Sequence, residues 1–412
     1  MNRTLIWQLA IRYLRGKRSA NAAPILSRIS MVAIAVSSAA MIIIFSVFNG
    51  LESLVKDLYK AFYPEIRITA ARGKFFPLDS TKLLAIKGLN RVGGVTACIE
   101  ENAMAIDESN KGQKVVMVKG IDNNYFSVND IKKYIVHGAD SVSMGHPYTA
   151  VVGMHIINEL GVDFNYPFSK IDLYYPNPNV TNPELNPTSA YQQLSLHPAG
   201  IFRVENEFDS KYMLAPLPLV QKLFGAEGKY SSIEIKAEPG AVKELKVQLQ
   251  LLLGPAFRVE SRYEQNKTVY MVMSAEKWAV YAILVLVLFI ASFNMVGALT
   301  MLVIEKRKDI AILKAMGAQP FAIRILFLFE GVLWSFTGGV AGILLGIGIC
   351  LLQIQFHLVP MQGDFLASSF PVEIQATDVL LVIATILVVG VLAAWYPATR
   401  ATKAVDPSLK AA

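Results

Sequence analysis

The sequence predicts an α-helical membrane protein with four transmembrane helices plus a large α+β extracytoplasmic domain. Three observations predict it. The 412 residues are 53% hydrophobic and only 17% charged, where a soluble domain carries roughly 25% charged residues. Four long windows lack charge almost entirely. Finally, lysine and arginine crowd on one side of those windows only, with a formal net charge of +7.

The windows are Ile29–Phe48, Trp278–Val303, Ile325–Phe356 and Val379–Tyr396, and only the third contains a charge, Glu330. A hydrocarbon core of about 30 Å needs about 20 apolar helical residues, so each window is long enough to span. Between the first two lies Leu51–Lys277, with 25 basic and 25 acidic residues. The basic excess sits elsewhere: Arg3, Arg12, Arg15, Lys17, Arg18 and Arg28 ahead of the first window, Lys306, Arg307, Lys308, Lys314 and Arg324 in the middle loop, and Arg400, Lys403 and Lys410 in the tail. Basic residues at membrane ends mark the cytoplasmic side. The expected topology is therefore multi-pass, with both termini and the middle loop on the cytoplasmic side and the large domain outside. The basic pI of about 9.1 reports orientation, and no nucleic-acid partner is expected.

The resulting division is a cytoplasmic N-terminal amphipathic helix over 1–28, a first span over 29–50, and a periplasmic α+β domain over 51–270. A second span with a periplasmic extension follows over 271–304, then a cytoplasmic coupling loop over 305–324. A third span covers 325–356, a short periplasmic loop 357–377, a fourth span 378–396 and a cytoplasmic tail 397–412. A signal peptide does not fit the first apolar run, which is longer than a secretory h-region of 7–15 residues. Leu5, Ile6, Leu9, Ala10, Tyr13 and Leu14 share one face of the leading helix, as in an interfacial segment.

Within the domain, β-rich runs occur at Glu65–Ala70, Val115–Ile121, Lys170–Tyr175, Lys211–Ala215 and Ser231–Ile235, and helical patterns at Thr81–Leu89, Leu217–Phe224 and Ala241–Leu253. Pro176, Pro178, Pro183 and Pro187 forbid a helix and disfavour a central strand, so 174–187 reads as a protruding loop, either a spacer or a partner-binding finger. From Ser261 the pattern is helical without a proline up to Gly317. In the third span Gly338, Gly342 and Gly346 recur every four residues, which suits close helix packing. Glu330, near the cytoplasmic end, is expected to reach the interface or a cytoplasmic partner.

Catalytic chemistry has no footing. Gly16–Lys17, Gly73–Lys74 and Gly228–Lys229 lack the hydroxyl of a phosphate loop, and His137, His146, His155, His197 and His357 form no metal-ligand spacing. The two cysteines allow no disulfide framework. No metal site, catalytic residue or cofactor is expected on this chain, and the chain reads as no enzyme.

The middle loop carries the signal. After the charges at 305–309, Ile310, Ile312, Leu313 and Met316 present apolar knobs within basic surroundings. Gly317 suits a helix C-terminus and Pro320 a helix start. A short helix with apolar knobs fits a partner's groove; a tight membrane turn is the plainer alternative.

This loop resembles the cytoplasmic signature of the FtsX/MacB-type ABC permeases, and most of the chain is similar to the lipoprotein-releasing permeases of the LolC/LolE type. Ser27-Arg-Ile-Ser30 and Phe45-Ser-Val-Phe-Asn-Gly-Leu-Glu52 match that family's first span, and Ser274-Ala-Glu-Lys277 and Ala291-Ser-Phe-Asn-Met295 its second. Tyr396-Pro-Ala-x-Arg400 and Asp406-Pro407 match its closing motif. Phe48 stands where methionine is usual, and the domain matches loosely through Glu207-Phe-Asp-Ser-x-Tyr212.

The resemblance implies the permease subunit of an ABC transporter that extracts lipoproteins from the inner membrane for transfer to a periplasmic carrier. The work would come by mechanotransmission from a separate cytoplasmic ATPase dimer, which would bind the ATP and Mg. A second permease copy or paralogue, lipoprotein cargo, membrane lipid and a periplasmic lipoprotein carrier are the implied partners. Lys306, Arg307, Lys308, Asp309, Ile312, Leu313, Met316 and Gly317 would couple to the ATPase. Met41, Ile44, Phe45, Phe48, Val272 and Met273 would contact lipid or cargo, and Pro176, Pro178, Pro183 and Pro187 would mark a carrier-binding loop. A MacB-like exporter of peptides or amphiphiles and an FtsX-like signalling permease regulating a cell-wall hydrolase are the alternatives.

Overall fold

The computed structural model describes residues 22–107, 109, 111–177, 190–361 and 369–403. The proposed N-terminal amphipathic helix before residue 22, Pro178, Pro183 and Pro187, and the tail beyond Lys403 lie outside the described residues. The helices are α1 (Ala22–Tyr59), α2 (Ser80–Lys87), α3 (Tyr125–Val128), α4 (Met154–Leu160), α5 (Asn206–Asp209), α6 (Leu217–Leu223), α7 (Val242–Leu253), α8 (Arg262–Gln265), α9 (Lys267–Glu305), α10 (Arg307–Ala315), α11 (Pro320–Phe356) and α12 (Ala376–Lys403). The strands are β1 (Ile66–Ala70), β2 (Phe76–Pro77), β3 (Val92–Asp107), β4 (Gly112–Ile121), β5 (Ile135–Gly138), β6 (Thr149–Gly153), β7 (Ile171–Pro176), β8 (Tyr191–Phe202), β9 (Tyr212–Pro216), β10 (Lys229–Tyr230), β11 (Ser232–Ala237) and β12 (Phe257–Ser261).

The chain divides into two compact units, Leu54–Met271 and the residues that flank it. In the first, ten strands join in one sheet in the order β12-β1-β11-β3-β4-β9-β6-β8-β5, and β7 pairs with both β3 and β8. Because β3 pairs β4, and β8 pairs β7 which returns to β3, six of these strands close on themselves. Ile99, Val116, Val118, Val152, Leu173 and Met213 lie in the hydrophobic core that this closure encloses. The open arm of the sheet, β12-β1-β11, is covered by α7, whose Leu245, Leu249 and Leu253 repeat at four-residue spacing and are buried.

Local chemistry sets the boundaries. Asp79 caps α2 by accepting from the Thr81 amide at 3.2 Å, and Ser261 with Glu264 forms a capping box at α8. The helical stretch read from Ser261 to Gly317 is broken twice. Asn266 leaves the helix (φ −119°, ψ 28°), and Lys306 interrupts it again (φ −87°, ψ 10°). Neither break involves proline or glycine, so residue type alone did not announce it. The β-rich runs of the sequence likewise leave out β2, β3, β5, β6, β8, β10 and β12; Gly93 and Gly94 and the run Glu100-Glu101-Asn102 disguise β3.

In the second unit, α1, α9, α11 and α12 are, among the described residues, the helices long and apolar enough to cross a membrane. They overrun the predicted spans: α1 extends past 29–50 to Ala22–Tyr59, and α12 past 378–396 to Ala376–Lys403, with Pro397 inside it. Lipid is as apolar as leucine, so helices hold together in a bilayer by close packing rather than by the hydrophobic effect. Gly338 and Gly342 admit the α1 backbone: a Cβ on them would fall 2.6 Å from the Met31 carbonyl oxygen and 2.1 Å from that of Ala35. Gly331 and Gly339 likewise seat Ala394 and Ile386 of α12. The glycine repeat thus serves packing within the chain. Glu330 is buried at 2% exposure, so it does not reach out of the bundle as expected from its position near the helix start.

Candidate functional site

Two places on the helical unit gather the residues singled out by sequence. The first is the α9–α10–α11 corner. Asp309 stands in the first turn of α10 and Lys314 in its last, each at the end of the helix dipole that favours its charge. The helix closes in a Schellman motif: Ala318 N–H donates to Leu313 O at 2.9 Å and Gly317 N–H to Lys314 O at 2.9 Å, with Gly317 at φ 85°. Pro320 then opens α11.

Ile310 anchors this corner. It is buried at 1% among Val303, Ile323, Phe327, Ala398 and Ala401, so it is not one of the exposed knobs predicted. Lys314 Nζ donates to the Thr402 carbonyl at 3.0 Å, fixing the other end. Away from these anchors, Ile312 is 58% exposed, Met316 71% and Phe321 68%. Arg307 and Lys308 are also exposed, Leu313 is half-buried, and Lys306 pairs with Asp309 at 3.2 Å. Phe321 was missed by sequence; its position directly after the helix-starting proline was the available signal.

The second place is the end of the bundle away from α10. Met41 and Phe45 are buried there, and Ile44 packs against the same core. Phe48 and Met273 are half-buried, and Val272 is exposed. The structure joins Met41, Ile44 and Phe45 in one cluster; Phe48, Val272 and Met273 are not part of it. Instead, three residues outside the expected contact set converge, Asn49 and Lys277 from the quoted motifs and Asp378 from outside them. Lys277 Nζ of α9 donates to Asn49 Oδ1 of α1 at 2.8 Å and to the two oxygens of Asp378 of α12 at 3.2 and 3.1 Å. Asn49 Nδ2 donates to Asp378 Oδ2 at 2.6 Å. The sequence signal was a charge or amide at the edge of three apolar windows, which single-window reading does not connect.

Beside this triad lies a cavity of about 280 Å³, lined by Phe45, Glu52, Ser274, Lys277, Trp278, Tyr281, Asp378 and Leu381. Lys277 stands 5.7 Å from the Phe45 ring centroid, within cation–π reach. Tyr281 bonds Thr385 at 2.8 Å and packs on Phe45 at 5.8 Å.

In the α+β domain, Pro176 ends β7 and is exposed. It borders an apolar cavity of about 500 Å³ together with Met104, Ile106, Val115, Tyr174 and Tyr191. The same domain hides a charge cluster on neighbouring strands. Lys119 reaches Glu234 at 2.6 Å and Glu100 at 3.8 Å, Asn129 donates to Glu234 at 2.7 Å, and Arg67 pairs with Glu100. Burial opposes the charge on Glu100, but Arg67 and Lys119 outweigh it and hold the carboxyl below its usual range. Burial likewise opposes the charge on Lys119, and Glu234 overrides it, raising its pKa well above the ordinary value.

Comparison with known proteins finds matches in both units. Residues 27–165 match the MacB-like periplasmic core domain and residues 281–405 the FtsX-like permease C-terminal domain. The chain is 24% identical to the lipoprotein-releasing system transmembrane protein LolC of Xylella fastidiosa, covering 96% of each chain. It is 25% identical to LolE of Haemophilus influenzae over 95% of each, and 24% identical to LolC of Neisseria meningitidis over 96% of each. The crystal structure of the MacB periplasmic region from Actinobacillus actinomycetemcomitans is 12% identical, with a TM-score of 0.36, over 53% of this chain and 98% of that one. The chain thus carries a MacB-like periplasmic core domain and an FtsX-like permease C-terminal domain together with, among the described residues, four helices long and apolar enough to cross a membrane, and it is similar to LolC and LolE over nearly its whole length.

Proposed function

We propose that this permease extracts lipoproteins from the bacterial inner membrane and hands them to a periplasmic carrier, driven by a separate cytoplasmic ATPase dimer. The observation that carries the reading is the similarity to LolC and LolE over 95–96% of both chains, which includes the large domain as well as the spans. The α10 corner supports the coupling role: its exposed Ile312, Met316 and Phe321 form an apolar plug beside Arg307 and Lys308, while Ile310 and Lys314 tie the plug to α9, α11 and α12. A push on this corner therefore bears directly on three spans. ATP and Mg belong to the ATPase in this scheme, and a second permease, identical or paralogous, completes the path.

The energetic need is plain. Each acyl CH2 leaving the bilayer costs about 0.8 kcal/mol, so a triacylated anchor does not leave unaided. Met41, Ile44, Phe45, Phe48, Val272 and Met273 are proposed to meet the chains, and the loop from Pro176 onward to meet the carrier. Depletion of the protein followed by separation of inner and outer membranes tests the function. Lipoproteins accumulate in the inner membrane if it holds; an unchanged distribution refutes it.

A further inference from the structure

We propose that the contact of Lys277 with Asp378 and Asn49 is a latch that parts in each transport cycle and opens the adjacent cavity to the head of an acylated amphiphile. The proposal rests on the transport reading above for its ligand, while the latch itself rests on geometry. One ammonium joins three helices whose partners are 228 and 101 residues away in sequence. Asn49 is 1% exposed and Asp378 8%, whereas the Lys277 side chain keeps 25% of its surface accessible. Lys277 and Asp378 are themselves part of the cavity wall.

A second set of contacts shows what the latch pins. Residues 371–378 lie as a strap across α1: Glu373 N–H donates to Ser46 O at 2.9 Å, Asn49 Nδ2 donates to Glu373 O at 3.3 Å, and a Cβ on Gly50 would fall 2.2 Å from Pro371 O. Asp378 sits where this strap becomes α12, so releasing it frees both the strap and the helix start.

The chemistry favours parting at this place. Below the triad, apart from the Tyr281–Thr385 hydrogen bond, the bundle seam is apolar, with Leu284, Leu288, Val382 and Ile386 in one cluster, and separating it forfeits dispersion contacts without compensation. An ion pair behaves differently: when it parts, water can hydrate both charges and return the desolvation they bore as a pair, so part of the lost attraction is recovered. The cavity of about 280 Å³ has room for several waters at roughly 30 Å³ each. Its walls then suit the junction of an amphiphile: Phe45, Trp278, Tyr281 and Leu381 for the start of the chains, Ser274, Lys277 and Glu52 for ester and amide groups of the head.

The test uses the full chain in native membrane vesicles. Spin labels at Ala275→Cys and Thr377→Cys report the spacing of α9 and α12 at this end. Lys277→Met, and separately the isosteric Asp378→Asn, are expected to lengthen and broaden that distance distribution; an unchanged distribution in both overturns the latch. In a second arm, Asn49→Cys with Asp378→Cys is bridged by a short bis-methanethiosulfonate. Lipoprotein release is expected to fall at least tenfold and to return on reduction, and release at the uncross-linked rate overturns the need for parting. Should unmodified vesicles release no lipoprotein, the transport reading fails, and the spin-label distances still decide the latch.

Discussion

Gly342 of α11 lies so close to Ala35 of α1 that a Cβ on it would stand 2.1 Å from the Ala35 carbonyl oxygen. No rotamer relieves a clash between Cβ and backbone, so the two helices must separate. Gly342→Ala is therefore expected to destabilise the purified protein by about 1–3 kcal/mol, the usual cost of overpacking. Gly348, on the same helix, has open space where a Cβ would go, and Gly348→Ala is expected to be neutral. Thermal unfolding in detergent separates the two, and equal melting temperatures would contradict the packing.

The exposed plug on α10 makes a different kind of prediction. If the proposed ATPase docks here, Met316→Asp, or charge reversal across Lys306–Lys308, is expected to abolish its copurification while leaving the permease folded. Ile310→Ala removes the buried anchor instead and is expected to lower stability by about 2–5 kcal/mol, whereas Ile312→Ala leaves stability unchanged and weakens ATPase recovery. Undiminished recovery with Met316→Asp would rule out docking at this corner.

The Lys119–Glu234 pair, at 2.6 Å and with side chains 2% and 0% exposed, predicts strong non-additivity. Glu234→Gln leaves the buried ammonium only the longer contact with Glu100 at 3.8 Å and is expected to cost about 3 kcal/mol. Lys119→Met combined with Glu234→Gln removes that ammonium and is expected to recover a large part of that loss. Pulse proteolysis of the full-length protein in urea reads both.

Asp209 gives the domain a pH dependence of unusual sign. Burial raises its pKa to about 6, against the opposing hydrogen bond from the Val204 amide at 2.8 Å. The folded state therefore holds a proton that the unfolded chain releases near 3.8. Its contribution is full below that value and is lost as pH rises through about 6, by up to about 3 kcal/mol. Asp209→Asn is expected to flatten this fall; a stability curve rising between pH 4 and 6 for the wild type but not the variant would contradict the assignment.

The legibility of this chain in its sequence depends on the range of the interaction. Apolar length and the Lys/Arg bias mark α1, α9, α11 and α12 because a span is a local property of one window. Gly317 and Pro320 mark the α10 corner for the same reason, since a C-cap and an N1 proline act over a few residues. What the sequence conceals is long-range. The Asn49–Lys277–Asp378 triad draws one residue from the edge of each of three windows, and Ile310 looks like any other knob until Val303, Ile323 and Ala398 surround it. Strand β3 hides because its two halves pair with different partners, β11 over 92–98 and β4 over 99–107, so no single alternation runs its length.

ATP-dependent release of a lipoprotein from inner-membrane vesicles into the soluble fraction, compared between the wild type and Met316→Asp, tests the account most directly. The account predicts release that requires ATP and a soluble carrier in the wild type, and a loss of at least tenfold in the variant. Release that continues without ATP, or at the same rate in the variant, would contradict it.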